Sequence, residues 1–144
     1  MTQSINPPVK ILFVCVGNAC RSQMAEAWAS HFGQGKVQAA SAGSHPFGSI
    51  TEDTYSVMGE KGISLDGQTS KGLREVAVAE MDVVVTMGRE VDCPVPADFK
   101  GRVVDWNIPD PFGRGIETFR NVRDMIERHV QGLLADLIAP DVPA

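Results

Sequence analysis

The residues Cys15-Val-Gly-Asn-Ala-Cys-Arg21-Ser22 bring a thiol, a guanidinium and two turn-forming residues into one short stretch. They leave Val9–Val16 (VKILFVCV), a nearly unbroken apolar run rich in β-branched residues, and lead into a segment of helical spacing that begins at Ser22. Such a run suits a strand buried on both faces of a parallel sheet. A loop between a strand and a helix start presents several backbone N–H groups, and the positive end of the helix, to one small volume. Gly17 and Asn18 tolerate the left-handed conformations that turn successive N–H groups inward. Arg21 offers a rigid fork that matches two oxygens of a tetrahedral oxyanion. A cysteine at the mouth of that loop is favoured as the thiolate, and Ser22 can donate a further hydrogen bond to its sulfur. The expected chemistry is a thiolate nucleophile, Cys15, beneath an anion held by Val16, Gly17, Asn18, Ala19, Cys20, Arg21 and Ser22. A plainer reading stays open on residue types alone, that Cys15 is a small buried residue closing a strand.

The elements needed to position this loop are legible along the chain. Ala25, Trp28, Ala29 and Phe32 fall at helical spacing within Ser22–Phe32, and Gly33 and Gly35 end that helix. Val37–Ala42, Asp82–Thr86 and Arg102–Trp106 read as strands, Thr51–Lys61 as a helix starting from Thr51, and Ser70–Glu80 as a further helix with a weaker stripe. In Glu117–Ile138 the residues Phe119, Val122, Ile126, Val130, Leu133 and Leu137 mark one apolar face. Strands alternating with helices predict an α/β fold with a parallel sheet and right-handed crossovers, in which ligands bind beyond the carboxyl ends of the strands.

Composition sets the outer limits. A chain of 144 residues, 43% hydrophobic and 22% charged, fits one catalytic domain over 1–144, with loose tails at 1–8 and 139–144. At this length a chain buries about 70% of its unfolded surface without staples. No apolar run approaches the roughly 20 residues that span a bilayer. The net charge of -5 and a pI near 5.1 argue against nucleic acid or an anionic membrane as partner. The odd count of three cysteines, with no secretion signal, predicts free thiols in a reducing cytoplasm. His31, His45 and His129 lack metal-ligand spacing, so no metal is expected, and Arg114, Arg120 and Arg123 read as a solvated helix face.

The segment CVGNACRSQMAEA resembles the signature loop of the low-molecular-weight protein tyrosine phosphatase superfamily, which includes arsenate reductases on the same fold. Ser41-Ala-Gly43, Thr69-Ser-Lys71 and Asp110-Pro111 stand where that superfamily would have them, so the resemblance runs from about Lys10 to the last helix. It implies a three-layer sandwich with a central, mainly parallel four-stranded sheet and helices on both faces. It also implies Asp110 as general acid, with Asp105 and Asp98 ranked below it. Phe47 and Phe112 stand where the phosphatases place aromatic walls around a phosphotyrosine ring. Residues matching Asn18, Glu26, Ser41 and Thr69 hold a potassium ion in some members.

Both activities begin with Cys15 attacking a tetrahedral oxyanion (arsenate, phosphate or sulfate fit alike), and they part at the second step. A phosphatase hydrolyses its phospho-cysteine with water, whereas a reductase resolves a thio-arsenate adduct with another thiol. Ser22-Gln-Met-Ala-Glu26, and Thr86-Met87-Gly88 followed by Cys93-Pro94, resemble the reductases, and the expected activity is arsenate reduction, with tyrosine-phosphate hydrolysis as the alternative. The first cysteine of the redox segment would stand near Gly88 and is absent, which leaves Cys93 and Cys20 as candidate resolving thiols. Otherwise an external thiol (thioredoxin, glutathione or mycothiol) completes the reaction, and no tightly bound cofactor is expected. A phosphate-binding module that uses the same loop without chemistry is the non-enzymatic reading.

Overall fold

The computed structural model describes residues 7–138. Four strands, β1 (Val9–Cys15), β2 (Val37–Gly43), β3 (Val83–Met87) and β4 (Arg102–Trp106), form an all-parallel sheet in the order β2-β1-β3-β4. The most apolar strand, β1, is therefore central, with both edges hydrogen-bonded, as an unbroken hydrophobic run requires. Alternation along β1 divides the core. Ile11, Phe13 and Cys15 join the large cluster shared with the α-helices, while Leu12 and Val14 join a small one with Ala42 and Val84.

Three α-helices build the large cluster: α1 (Arg21–Gly33), α2 (Glu52–Gly59) and α3 (Ile116–Leu137). The expected apolar face of α3 is buried at Phe119, Val122, Ile126, Val130 and Leu133. Thr51 caps α2 by accepting a hydrogen bond from the Thr54 N–H. The second face of the sheet carries two single-turn 3-10 helices, Leu73–Glu75 and Val78–Glu80, in place of the expected Ser70–Glu80 helix. Their half-buried Leu73, Val76 and Val78 cover Leu12, Val14, Ala42 and Val84, together with Val91, Cys93 and Phe99. Among the described residues no helix is long and apolar enough to cross a membrane. The expected tails at 1–8 and 139–144 lie almost wholly outside the described residues.

The solvated face expected for Arg120 and Arg123 is also corrected. Arg123 is only 5% exposed; its Nη1 donates to the Val57 carbonyl and to Glu60, and its Nε donates to Asp124. Arg120 also donates to Glu60, so one carboxylate ties the end of α2 to α3 through two guanidinium groups. Those two cations bring the Glu60 carboxyl down from 4.5 to about 2. A carboxyl depressed on folding stabilises the fold above its unfolded value and loses that contribution as pH falls through the folded one. Glu60→Gln should accordingly lower the melting temperature at pH 7, modestly, because solvent screens pairs as exposed as these. The gap to wild type should close between pH 4.5 and about 2, as thermal melts across that range will show. A gap that persists at the acid end would mean that the ion pairs are not its source.

Candidate active site

The loop after β1 is held from outside by its carbonyls. Ser44 N–H donates to Cys15 O, His45 N–H to Val16 O, Phe47 N–H to Gly17 O, the Gln23 side chain to Asn18 O, and Thr51 N–H and the Thr54 hydroxyl to Ala19 O. In a trans peptide the carbonyl and the following N–H point in opposite directions. Outward carbonyls from Cys15 to Ala19 therefore leave the amides of Val16 to Cys20 facing the other way, the arrangement that receives an anion. Asn18 supplies the required turn in the left-handed region, at φ 50°. The neighbouring strand must yield room for this turn. A Cβ on Gly43 would lie 2.5 Å from Val16 O and 3.0 Å from Asn18 N, so only glycine lets β2 end there.

The Cys15 sulfur sits 2.9 Å from Ser22 Oγ, and Asn18 Nδ2 donates to the same oxygen at 2.7 Å. Because that oxygen accepts from Asn18, the Ser22 proton is free to point at the sulfur, where it stabilises a thiolate. Asn18 is itself fixed: its Oδ1 accepts from Gln23 Nε2 and from Lys71 N–H, and Gln68 in turn donates to Gln23 Oε1. Sequence reasoning missed Gln23 and Gln68; both are uncharged and acquire their roles only from the packing of α1 against the 68–71 segment.

Arg21, 2% exposed, lies behind the loop. Its Nη1 donates to Met87 O at 2.5 Å and Ile108 O at 3.0 Å, and its Nη2 lies 3.1 Å from Glu90 and 4.0 Å from Asp110. A cavity of about 200 Å³ opens above Cys15, lined by the loop, Arg21, Asp110, His45, Phe47 and Phe112. Asp110 Oδ1 accepts from Phe112 N–H, which holds the carboxyl at the edge of the cavity. Of the ranked alternatives, Asp105 accepts from Thr86 on β3, and neither it nor Asp98 lines the cavity. Phe47 and Phe112 stand at the rim, 60% and 55% exposed, in edge-to-face contact at 5.8 Å.

The other two thiols are placed differently. Cys20 lines the cavity, 3.5 Å from Thr51 Oγ1, and burial pushes its thiol up, with the nearby Cys15 adding to the effect. Cys93 packs against the small cluster on the second face of the sheet and does not line the cavity; burial, and then Asp92, push its thiol up as well. The residues matching a potassium site do not fit a cation here. Asn18 Oδ1 already accepts two protein donors, Thr69 O accepts from Gln23 and from Lys71 Nζ, and Glu26 accepts from Ser41. Burial pushes the Glu26 carboxyl up, towards the neutral form, against the hydrogen bond from Ser41 and the charge of Lys71. Among the described residues no group of three or more His, Cys, Asp or Glu is placed to hold a metal ion.

A thiol under a ring of amides, with a buried arginine behind it and a carboxyl at the rim, on an all-parallel sheet, defines an enzyme that attacks tetrahedral oxyanions. The sequence profile of the low molecular weight phosphotyrosine protein phosphatase family matches residues 10–141, and the chain belongs to that family. Within it the chain stands in the arsenate reductase branch. It is 35% identical over 129 residues to the glutaredoxin arsenate reductase of Synechocystis sp., covering 89% of this chain and 98% of the relative. An arsenate reductase solved in the phosphate binding state superposes with a TM-score of 0.80 at 34% identity, over 89% of this chain and 98% of the other. The thioredoxin-dependent arsenate reductase of Corynebacterium glutamicum gives 0.77 at 28% identity, over 93% of this chain and 64% of the other.

Proposed function

We propose that this protein reduces arsenate to arsenite, and that a thiol from outside the chain completes the reaction. The observation that carries the first half is the Ser22–Cys15 contact at the floor of a cavity shared with the loop amides, Arg21 and Asp110. The Cys15 thiolate attacks arsenic, and an oxygen leaves as water after taking a proton, for which Asp110 stands at the rim. The amides and Arg21 hold the remaining oxygens. A second thiolate then attacks the Cys15 sulfur. As the sulfur–sulfur bond forms the sulfur–arsenic bond breaks, and its electron pair stays on arsenic, which leaves as arsenite. A further thiol reduces the disulfide and restores Cys15.

The placement of Cys93 supports an external thiol for the second step. It sits on the second face of the sheet, while the rim between Phe47 and Phe112 is open to solvent. The named relatives use glutaredoxin in one case and thioredoxin in another, so both protein reductants belong in the test beside glutathione and mycothiol. We place the reaction in the cytoplasm, where such reductants keep thiols free.

The test supplies arsenate and NADPH with each thiol system and its recycling enzymes, alongside turnover of p-nitrophenyl phosphate. Arsenate-dependent loss of NADPH is expected in at least one system. Cys93→Ser should retain that rate within about twofold, the range expected of a residue that makes no contact in the rate-limiting step. A collapse of turnover in that variant would return the second step to Cys93. Phosphatase activity is the second reading, favoured by the two aromatic rings at the rim, and strong ester turnover with no arsenate-dependent oxidation in any system would establish it instead.

A further inference from the structure

Arg21 has more anionic company than the chemistry at Cys15 requires. Asp110 has a use in the reaction set out above, but Glu90, whose Oε2 lies 3.1 Å from Arg21 Nη2, has none. The loop after β3 is shaped around this contact. Gly88 takes a φ of 122°, and a Cβ there would fall 2.3 Å from Glu90 Oε1 and 2.9 Å from Arg21 Nη1. The first of these is a steric overlap and the second an unacceptably close approach, so a side chain at position 88 and the Glu90 carboxylate on Arg21 exclude each other. Arg21 cannot turn away from the contact, because Nη1 is fixed on the carbonyls of Met87 and Ile108.

We propose that Glu90 is a positioning residue for Arg21 that competes with the incoming oxyanion for its guanidinium. This rests on the reading that the cavity receives a tetrahedral oxyanion. A guanidinium as buried as this one needs counter-charge in the empty cavity, and Glu90 supplies it while keeping Nη2 aimed past Asp110. The Glu90 side chain is 50% exposed, so it can turn to water when an oxyanion arrives, with little further change in its solvation. The oxyanion therefore binds against a standing negative charge. Its affinity is lower than the amides and an uncompensated arginine would give, and because the carboxylate is displaced in the bound complex and the transition state alike, it raises KM and lowers kcat/KM in proportion while leaving kcat unchanged. Glycine at position 88 serves this carboxylate.

Glu90→Gln preserves the size of the side chain and an oxygen for Nη2, and removes the charge. Calorimetric titration with inorganic phosphate should show binding tighter than wild type by up to about fivefold, the range for one half-exposed charge. KM for arsenate should fall in parallel while kcat stays within about threefold. Glu90→Ala removes the carboxylate altogether and should tighten phosphate binding in the same direction, with a melting curve to show that the chain is folded. Phosphate binding that is unchanged or weaker in Glu90→Gln overturns the proposal, because a purely structural contact would give one or the other. The titration needs no turnover. Tighter binding in a protein that reduces no arsenate upholds the role of Glu90 and removes only the arsenate reading. A wild-type protein that binds no phosphate removes the oxyanion reading on which both rest.

Discussion

Replacing Cys15 with serine should abolish arsenate reduction and aryl phosphate hydrolysis together, by at least about a thousandfold, because both begin with the same thiolate. The hydrogen bond from Ser22 and the ring of amides are arranged around a sulfur nucleophile, and an alkyl hydroxyl in its place is a far weaker one. Cys20 cannot take over as nucleophile. Its sulfur lies beside the Thr51 hydroxyl, and burial pushes its thiol up, towards the neutral form. The variant should still bind inorganic phosphate, since the amides of Val16 to Cys20 and the guanidinium of Arg21 do not depend on the sulfur. Activity and binding therefore separate. Residual turnover above about a tenth of wild type, with phosphate binding intact, would place the nucleophile elsewhere. Loss of phosphate binding as well would mean that Cys15 shapes the loop.

The sequence made this loop visible because its features are local. The apolar run of β1, the turn residues Gly17 and Asn18, and the helix that begins at Arg21 lie within one stretch of chain, and each predicts its own geometry. The long stripe of α3 was legible for the same reason. The segment 70–80 misled because its backbone has obligations elsewhere. Lys71 N–H is drawn to Asn18 Oδ1, Lys71 O accepts from Gly43 N–H, and Thr69 O is taken by Gln23 and by the Lys71 ammonium. A chain pinned at both edges of a turn cannot wind a helix through Gly72, so two separate turns form, with Val76 extended between them. Local propensity lost to tertiary hydrogen bonds.

Other roles were not legible because they join residues distant in sequence. An arginine on a helix is normally solvated, and nothing beside Arg123 announces that it reaches the Val57 carbonyl and Glu60. No sequence feature sets Glu90 apart from the other acids; the loop after β3 brings it to Arg21. At Gly88 the sequence shows only the absence of a cysteine; the space it leaves for Glu90 is what the structure adds. Cys93, two residues past Val91 in the same loop, shows the opposite limit. Its residue type suggests a partner for Cys15, yet the side chain follows its apolar neighbours onto the second face of the sheet.

Arg21→Lys should lower turnover by about a hundred- to a thousandfold, the range for losing a preorganised donor at an oxyanion site. The charge is kept, so a purely electrostatic role for Arg21 would survive the change. A lysine cannot reach the carbonyls of Met87 and Ile108, face Glu90 and Asp110, and still present a fork to the anion. The two carbonyls belong to residues at most 1% exposed, at the end of β3 and in the loop after β4, and losing their donor costs about 1–3 kcal/mol for each that finds no other. The substitution should therefore lower the melting temperature as well as the activity, unlike Cys15→Ser, which leaves both carbonyls their donor. Phosphate titration, turnover and thermal melts on the two variants side by side check this. A lysine variant that melts like wild type would show that Arg21 serves the anion alone. One that turns over like wild type would show that charge without the fork is enough. If both properties fall, the residue that binds the oxyanion also joins the strand ends that frame the cavity, which is why a charged side chain at this position is buried at all.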